Sequence, residues 1–296
     1  MKAAFLTAVL AVSLNGFTAS ANNASDGVIY GTDNRVDLYQ VTNPMYATLA
    51  ASTVALIKTD SIQQDSSGVV AIKASSFQSL MQVCSKEPFA DQPSGAFCSG
   101  SLIGKHLMLT AGHCITSQDE CSSTKFVFGY AVTKKGQYPN SVPEKNVVGC
   151  KSIVYRQQVD DGADFAIIQL DRDVTDRTPL TLAKGRMQNE ITDGTQIMMI
   201  GHPSGLPTKV DPDKKVRSAA PNGFFTANTD SYGGNSGSAI FNQKTGEVEG
   251  VLVRGEQDFE YSDAGCYLSK VCPDDGCRGE DITKISSVIP HLPSVL

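Results

Sequence analysis

The sequence predicts a mainly β protein, and three observations lead to this class. Short runs of apolar and β-branched residues recur between Gly, Asp and Asn, as in residues 52–57, 195–200 and 248–253. Such runs are typical of strands. Glycine is abundant, with 26 residues in the chain, and the 296 residues suffice for one large domain or two small ones with separate cores.

The N-terminus predicts a secretory leader. Met1 and Lys2 precede an apolar stretch that runs from Ala3 to Leu14, and residues 19–21 have the small-x-small form that a signal peptidase cuts after. We therefore expect a signal peptide over residues 1–21, cut after Ala21, and a secreted or periplasmic protein that is not in the membrane. The stretch is shorter than the ~20 residues of a spanning helix, although a retained membrane anchor is the alternative.

The remaining composition excludes several function classes. Acidic residues exceed basic ones, 31 to 25, and no Lys/Arg stripe with interleaved aromatics occurs, so nucleic acid is not an expected partner. The chain has no heptads, no low-complexity tract and no repeat with a period of 20 to 50 residues. No cofactor is expected. Eight cysteines in an exported chain imply disulfides.

Three separated motifs carry residues that suit nucleophilic catalysis. His113 lies in TAGHC (110–114), Asp164 opens the apolar run DFAII (164–168), and Ser236 lies in GNSGS (234–238). A serine hydroxyl is a weak nucleophile, so it needs a neutral imidazole to accept its proton and a carboxylate to orient that imidazole. The expected roles are nucleophile for Ser236, base for His113 and orienting carboxylate for Asp164.

The glycines around Ser236 suit the stabilisation of an oxyanion. A turn rich in glycine lets backbone N–H groups approach the developing charge, and we expect Gly234 and Ser236 to donate them. Each motif alone also has a structural interpretation: a β-turn, a core histidine, or a carboxylate that caps a turn. An α/β-hydrolase is excluded, because Ser238 replaces the second Gly of G-x-S-x-G and because the order Ser, acid, His would leave His291, the only histidine after Ser236, as the base.

Together the motifs resemble the chymotrypsin-like, or trypsin-like, serine peptidases, in particular the secreted bacterial branch related to the glutamyl endopeptidases. The similarity is in residues 97–114, 164–170 and 230–238. It implies an all-β fold of two antiparallel six-stranded β-barrels, and a serine endopeptidase that acts on protein or peptide substrates through an acyl-enzyme. We expect a monomer. The alternative is a catalytically silent homologue that binds peptides or a partner protein in the cleft.

The resemblance also predicts the domain organisation. Residues 28–178 would form the barrel with the histidine and aspartate, and residues 179–296 the barrel with the serine, joined by the polar segment 176–182. Residues 28–35 resemble the mature start of staphylococcal-type glutamyl endopeptidases, so 22–27 would be a short propeptide. Apolar residues at helical spacing predict a C-terminal α-helix from Glu280 to Leu292, stopped by Pro290.

The cysteines are assigned only in part. By resemblance, Cys98 pairs with Cys114 beside the histidine motif. The other six cysteines allow 15 connectivities, among which we favour the pairing of Cys121 with Cys150. A zinc site made by Cys266, Cys272 and Cys277 is the alternative, but these residues lack the paired C-x-x-C spacing. We expect no metal.

Substrate preference is the least determined property. Asp230 lies six residues before Ser236, where trypsin-like enzymes carry a pocket carboxylate, so Asp230, Arg254 and Gly255 are candidate pocket residues for Lys or Arg substrates. Alternatively, Asp230 caps a turn or is neutralised by Arg254. The histidine that glutamyl endopeptidases use for substrate glutamate is replaced here by an apolar residue, so glutamate specificity is not expected.

Two further positions depart from the family pattern. Val253 replaces the serine that often supports the catalytic aspartate, so Asp164 requires other hydrogen-bond donors. Asn235 replaces the aspartate that receives the new N-terminus in trypsin-type zymogens, which argues against activation by that ion pair. His202, in a turn rich in Gly and Pro, is predicted to be structural and not catalytic.

Overall fold

Strands dominate the structure, a computed structural model that describes residues 28–183 and 191–293. Within these ranges the α-helices are short: Pro44–Ala50 (α1), Phe77–Met81 (α2), Gln118–Ser122 (α3) and Ile285–Val288 (α4). The predicted mainly β class is confirmed. The predicted signal peptide and propeptide, residues 1–27, lie outside the described residues.

Six antiparallel strands close the first barrel. In chain order they are β1 (Thr53–Lys58), β2 (Cys98–Gly104), β3 (Leu107–Thr110), β4 (Thr124–Phe128), β5 (Val147–Gln158) and β6 (Asp164–Leu170). Around the barrel the order is β1-β2-β3-β6-β5-β4, and β4 pairs with β1 to complete the ring. Nearly every residue of β6 is buried, as its apolar sequence after Asp164 requires.

Six strands also close the second barrel. They are β7 (Gln196–Gly201), β8 (Lys209–Ser218), β9 (Phe224–Ala227), β10 (Ala239–Asn242), β11 (Val248–Arg254) and β12 (Glu280–Lys284). Their order is β7-β8-β9-β12-β11-β10, and β10 pairs with β7. This is the strand order of the first barrel repeated, so the prediction of two antiparallel six-stranded barrels is confirmed.

Shorter strands decorate the barrels. They are Ile29–Tyr30, Val36–Asp37, Ile62–Gln64, Val69–Ile72, Ser75–Ser76, Pro93–Ser94, Ser141–Pro143, Phe259–Tyr261, Tyr267–Ser269 and Val271–Cys272. Val36–Asp37 pairs with β8, and Ile29–Tyr30 pairs in parallel with Val271–Cys272. The segment from Val28 to Asp37, here called the N-terminal strap, therefore packs on the second barrel. The predicted boundary at residues 178 and 179 stays a prediction.

One apolar cluster joins the two barrels. It contains Leu109 and Ile167 of the first barrel together with Met198 and Val251 of the second, all essentially inaccessible to solvent. A contiguous core of this kind holds the barrels in one arrangement, because separating them would expose apolar surface to water. The crevice between the barrels is thus bounded by rigid elements.

The C-terminal helix is present but shorter than predicted. Residues Glu280–Lys284 form β12, and the α-helix begins at Ile285 and continues as a 3₁₀ turn over Ile289–His291. The predicted start at Glu280 is wrong because Ile282 pairs with Leu252 of β11 and Phe225 of β9 inside the second barrel. Tertiary pairing here overrides the helical spacing of the apolar residues.

All eight cysteines form disulfides, in the pairs Cys84–Cys266, Cys98–Cys114, Cys121–Cys150 and Cys272–Cys277. These include the two pairs expected from the sequence. The zinc alternative is not supported, because zinc binds thiolates and the sulfurs of Cys266, Cys272 and Cys277 are all oxidised. Four disulfides fit a protein of an oxidising compartment. No helix in the described residues is long and apolar enough to span a membrane.

Candidate active site

His113 and Asp164 form the best-defined contact of the site. The His113 Nδ1 atom lies 2.7 Å from Asp164 Oδ2. The other oxygen of Asp164, Oδ1, accepts hydrogen bonds from the backbone N–H groups of Gly112 (2.6 Å) and His113 (3.2 Å). The Asp164 side chain is 3% exposed and that of His113 is 31% exposed. A buried carboxylate thus orients an accessible imidazole.

The turn that contains His113 packs against β6, which carries Asp164, and against the neighbouring strand β5. A Cβ atom on Gly112 would lie 2.2 Å from the carbonyl oxygen of Gln157 and 2.9 Å from that of Phe165, so only glycine fits between β5 and β6. The Cys98–Cys114 disulfide ties the far side of the turn to β2. Because Val253 replaces the serine that often supports the aspartate, Asp164 was expected to need other hydrogen-bond donors. The backbone N–H groups of Gly112 and His113 are such donors.

The serine turn packs directly on the strands that lead to His113. The Ser99 N–H of β2 donates to the carbonyl oxygen of Ser236 at 2.8 Å, and the Gly237 N–H donates to that of Leu252 at 2.8 Å. Gly237 has φ +88°, and a Cβ there would lie 2.0 Å from Ser99 O and 2.3 Å from Thr110 Oγ1. Ser236 is therefore held against both β2 of the first barrel and β11 of the second.

Two amides of the serine turn stand out by their lack of an acceptor. The N–H groups of Asn235, Gly237 and Ser238 all donate to backbone carbonyls. The N–H groups of Gly234 and Ser236 donate to no acceptor among the described residues. Since unpaired backbone amides are uncommon in folded proteins, these two groups are available to a bound oxyanion.

The hydrogen bond expected between the Ser236 hydroxyl and the His113 ring is not formed. Within residues 28–183 and 191–293, no hydrogen bond joins the Ser236 hydroxyl to the His113 ring. Catalytic hydrogen bonds often shorten only when substrate binds. Of the three residues expected to form the triad, His113 and Asp164 are thus hydrogen-bonded. Ser236 is held beside them only through its backbone, which accepts from Ser99.

The buried residues around Asp230 argue against the predicted basic-substrate pocket. Asp230 is fully buried, and its Oδ1 accepts from the backbone N–H of Tyr30 at 2.8 Å. Its Oδ2 lies 2.7 Å from Lys214 Nζ. Asp211, also buried, accepts from the backbone N–H of Asp230 at 2.8 Å. Asp230 therefore has its own buried cation and anchors the N-terminal strap, so a substrate cation has no access to it.

Arg254 and Gly255 are likewise engaged within the protein. Arg254 Nε lies 3.1 Å from Asp281 Oδ2, so Arg254 pairs with Asp281 and does not neutralise Asp230, contrary to the alternative hypothesis. The carbonyl oxygen of Gly255 accepts from Arg278 Nη1 at 3.3 Å. The sequence could not anticipate these pairings, because the partners come from segments distant along the chain.

His202 is a buried structural residue, as predicted. It is fully buried, its Nδ1 lies 2.9 Å from the carbonyl oxygen of Leu206, and its backbone N–H donates to Ser99 Oγ at 3.0 Å. Ser99 Oγ in turn donates to Gly234 O at 3.0 Å, so His202 supports the serine turn indirectly. Burial lowers the pKa of His202 from its ordinary 6.5 to about 4.

The low pKa of His202 predicts a loss of stability in acid. The unfolded chain takes up a proton on this residue near pH 6.5, whereas the native protein does so only near pH 4, so stability is lost as pH falls between these values. The cost is roughly 2 kcal/mol between pH 7 and pH 4.5. Urea unfolding of His202→Gln should show a shallower pH dependence by about this amount.

A matched control distinguishes this effect from general acid sensitivity. His106→Gln alters a surface histidine whose side chain is 42% exposed, and we expect the parental pH dependence in that variant. An equal slope for the parent and His202→Gln would contradict the role given to His202.

Sequence reasoning missed two residues of the site. Ser99 connects His202 with Gly234, and its position in the histidine-motif segment is the only signal for it. Thr283 contacts the backbone of Asp164 from 119 residues away. No local pattern in the sequence points to Thr283.

No curated protein sequence matches the chain. Among solved structures, it is similar to the VesB protease of Vibrio cholerae, with 18% identity and a TM-score of 0.50 over 89% of this chain and 66% of that one. The chain thus spans just under two thirds of VesB, and a likeness at this identity supports the fold alone.

Two further structures are similar over most of their length. One is a Glu endopeptidase in complex with MPD, with 16% identity and a TM-score of 0.49 over 89% of this chain and 97% of that one. The other is the active form of the Rv3671c protease from M. tuberculosis, with 15% identity and a TM-score of 0.48 over 96% and 93%.

The family comparison covers the site itself. The trypsin-like peptidase domain matches residues 98–251, just over half of the chain, and this range includes His113, Asp164 and Ser236. The two six-stranded barrels and the site between them agree with that match. The chain belongs to the trypsin-like peptidase family.

Proposed function

We propose that this protein is a serine endopeptidase in which Ser236, His113 and Asp164 act as the catalytic triad. The observation that carries the proposal is the contact of 2.7 Å between His113 Nδ1 and the buried Asp164 carboxylate, next to a glycine turn in which two amides have no acceptor among the described residues. Membership of a peptidase family supports protein or peptide substrates.

The mechanism begins with the tautomer of His113. Asp164 is an acceptor, so Nδ1 carries the proton and Nε2 is left with a free lone pair. Nε2 removes the hydroxyl proton of Ser236 as Oγ attacks the substrate carbonyl carbon. The positive charge that forms on the imidazole is stabilised by the carboxylate of Asp164.

The negative charge on the substrate oxygen is met by the serine turn. The N–H groups of Gly234 and Ser236 donate to it, and they need no reorganisation because neither donates to another acceptor in the part of the chain that the structure describes. Collapse of the tetrahedral species expels the amine, which takes the proton from His113. Water then hydrolyses the acyl-enzyme on Ser236 by the same steps, with His113 again as base.

The cellular setting is part of the proposal. Four disulfides support an extracellular or periplasmic protein. We propose that the leader is removed after Ala21, and that residues 22–27 are removed as a propeptide. The mature enzyme would then start at Val28, which is fully buried at the beginning of the N-terminal strap.

The test compares the mature protein with its Ser236→Ala variant on an unbiased peptide library, with cut sites read by mass spectrometry. We expect the parent to cut and Ser236→Ala to fall to background. Ser141→Ala, at an exposed strand residue, is the control and should keep parental activity. The residue before each cut reports the substrate preference.

A fluorophosphonate probe provides a second readout, because it bonds covalently to an activated serine hydroxyl. We expect one adduct per parent molecule, on Ser236, and none on Ser236→Ala. Absence of both cleavage and labelling in the mature parent would overturn the proposal and favour a homologue that only binds peptides.

A further inference from the structure

Asp164 lies at the edge of the first barrel, where strand pairing stops. β3 ends at Thr110, which lies opposite Ala166, so no strand of the first barrel continues beside Asp164 on that edge of β6. The loop before it, residues 159–163, connects β5 with β6. A catalytic carboxylate at the end of a hairpin needs additional support to stay within a fraction of an ångström of its histidine.

Thr283 of the second barrel supplies the missing pairing. Its Oγ1 accepts a hydrogen bond from the backbone N–H of Asp164 at 2.9 Å and donates one to the carbonyl oxygen of Asp164 at 2.9 Å. One hydroxyl thus occupies both backbone groups, as a neighbouring strand would. Thr283 is fully buried, so water does not compete for these bonds.

Arg254 of the second barrel holds the loop in front of Asp164. Its two terminal nitrogens donate to the carbonyl oxygens of Val159 (3.3 Å) and Gly162 (3.0 Å). Its Nε pairs with Asp281 at 3.1 Å, which fixes the plane of the guanidinium. The fork of Arg254 therefore reaches both sides of the loop at once.

The strand that carries Arg254, β11, also holds the turn that contains Ser236. Leu252 and Arg254 belong to β11, and Leu252 accepts from the Gly237 N–H at 2.8 Å and donates to Ser238 O at 2.9 Å. Two residues further along β11, Arg254 contacts the loop of Asp164. Leu252 and Arg254 of β11 therefore fix the distance between the serine turn and the loop that precedes Asp164.

We propose that Thr283 and Arg254 are positioning residues that hold Asp164 on the histidine turn from the opposite barrel. This inference rests on the triad of the proposed function. Neither residue touches the reacting atoms; each acts through the backbone of the segment 159–164. Loss of Thr283 Oγ1 frees both backbone groups of Asp164, and the carboxylate then spends less time in contact with His113.

The first test uses variants of Thr283 that separate shape from hydrogen bonding. Thr283→Val keeps the shape and removes the hydroxyl, and we expect kcat to fall 10- to 100-fold with KM within threefold of the parent. Thr283→Ser keeps the hydroxyl and should restore kcat to within threefold. If Thr283 only stabilised the fold, Thr283→Val would not lower kcat while leaving KM unchanged, and Thr283→Ser would not restore kcat.

The control is Thr229→Val in the same barrel. Thr229 is fully buried and its hydroxyl has no hydrogen-bond partner among the described residues. The same exchange there should leave kcat within threefold of the parent. A parental kcat for Thr283→Val, or a loss that Thr283→Ser does not restore, would overturn the proposal for Thr283.

Arg254 is tested by Arg254→Lys, which keeps the charge but cannot bond both carbonyl oxygens in the fork geometry. We expect a 5- to 20-fold fall in kcat with KM within threefold of the parent. Lys270→Met, which removes a partly exposed surface cation paired with Glu256, is the control. Parental kcat for Arg254→Lys would overturn this part of the proposal.

A second readout does not depend on catalysis. In the Ser236→Ala background, the proton on His113 Nδ1 gives a downfield proton NMR signal as long as it bonds to Asp164. We expect Thr283→Val to shift or broaden this signal and Thr283→Ser to retain it. If the parent neither cuts peptides nor reacts with the fluorophosphonate probe, the proposed function fails, while this signal still tests whether Thr283 positions Asp164. An unchanged signal in Thr283→Val overturns the positioning role of Thr283 alone.

Discussion

Replacement of Asp164 by asparagine is expected to lower kcat about 10⁴-fold at neutral pH while the protein stays folded. The geometry dictates how the new amide is oriented. Oδ1 accepts two backbone N–H groups, so the carbonyl oxygen of asparagine must stay there and its NH₂ must take the place of Oδ2. An NH₂ group 2.7 Å from His113 Nδ1 is a donor that faces a donor.

The imidazole can resolve this conflict only by changing tautomer. Nδ1 becomes the acceptor and the proton moves to Nε2, which then has no lone pair for the proton of Ser236. The measurement is kcat on a peptide substrate together with a thermal unfolding curve. Asp161→Asn, at an exposed position in the adjacent loop, should keep both at parental values, and a loss below tenfold in Asp164→Asn would contradict the assigned role.

Replacement of Lys214 by methionine is expected to reduce the free energy of unfolding by about 3 to 5 kcal/mol. The Lys214 side chain is 2% exposed, and its Nζ lies 2.7 Å from Asp230 and 3.6 Å from Asp211. Burial raises the pKa of both carboxyls, and Lys214 opposes that effect. Without the cation, two buried carboxylates face each other.

Urea unfolding with the disulfides intact measures this effect. Lys215→Met is the control, because Lys215 lies next along β8 but is exposed, and it should change stability by less than about 0.5 kcal/mol. The destabilisation in Lys214→Met should be smaller at pH 4 than at pH 7, because the unpaired carboxyls take up protons more readily in the native variant than in its unfolded chain. Equal stabilities of Lys214→Met and Lys215→Met would contradict the pairing.

The parts of the site that the sequence predicts are those encoded by short motifs. His113 lies three residues after Thr110 and next to Cys114, which is bonded to Cys98. The glycines at 234 and 237 have the positive φ that their turn requires. The apolar runs predict the mainly β class for the same reason, because the residue pattern of each strand is a local property. The two barrels were expected only from the resemblance to the peptidase family.

The parts that the sequence does not predict depend on distant partners. From the sequence alone, Asp230 could bind substrate or stabilise the fold. Its contacts with Lys214, Asp211 and the N-terminal strap, which only the fold brings together, favour the structural role. Thr283 has no motif of its own. The start of the C-terminal helix was wrong because Ile282 fits a helical spacing and a barrel strand equally well, and pairing with β9 and β11 decides between them.

The Cys84–Cys266 disulfide gives the molecule a tolerance to autolysis. It joins residues 182 positions apart, and the inter-barrel connection as well as two other disulfides lie inside the loop that it closes. A single cut anywhere between residues 85 and 265 therefore leaves both fragments covalently joined. In a peptidase that cuts other copies of itself, a molecule cut once in this range would keep Ser236 and His113 in one particle. Its two fragments would separate on electrophoresis only after reduction.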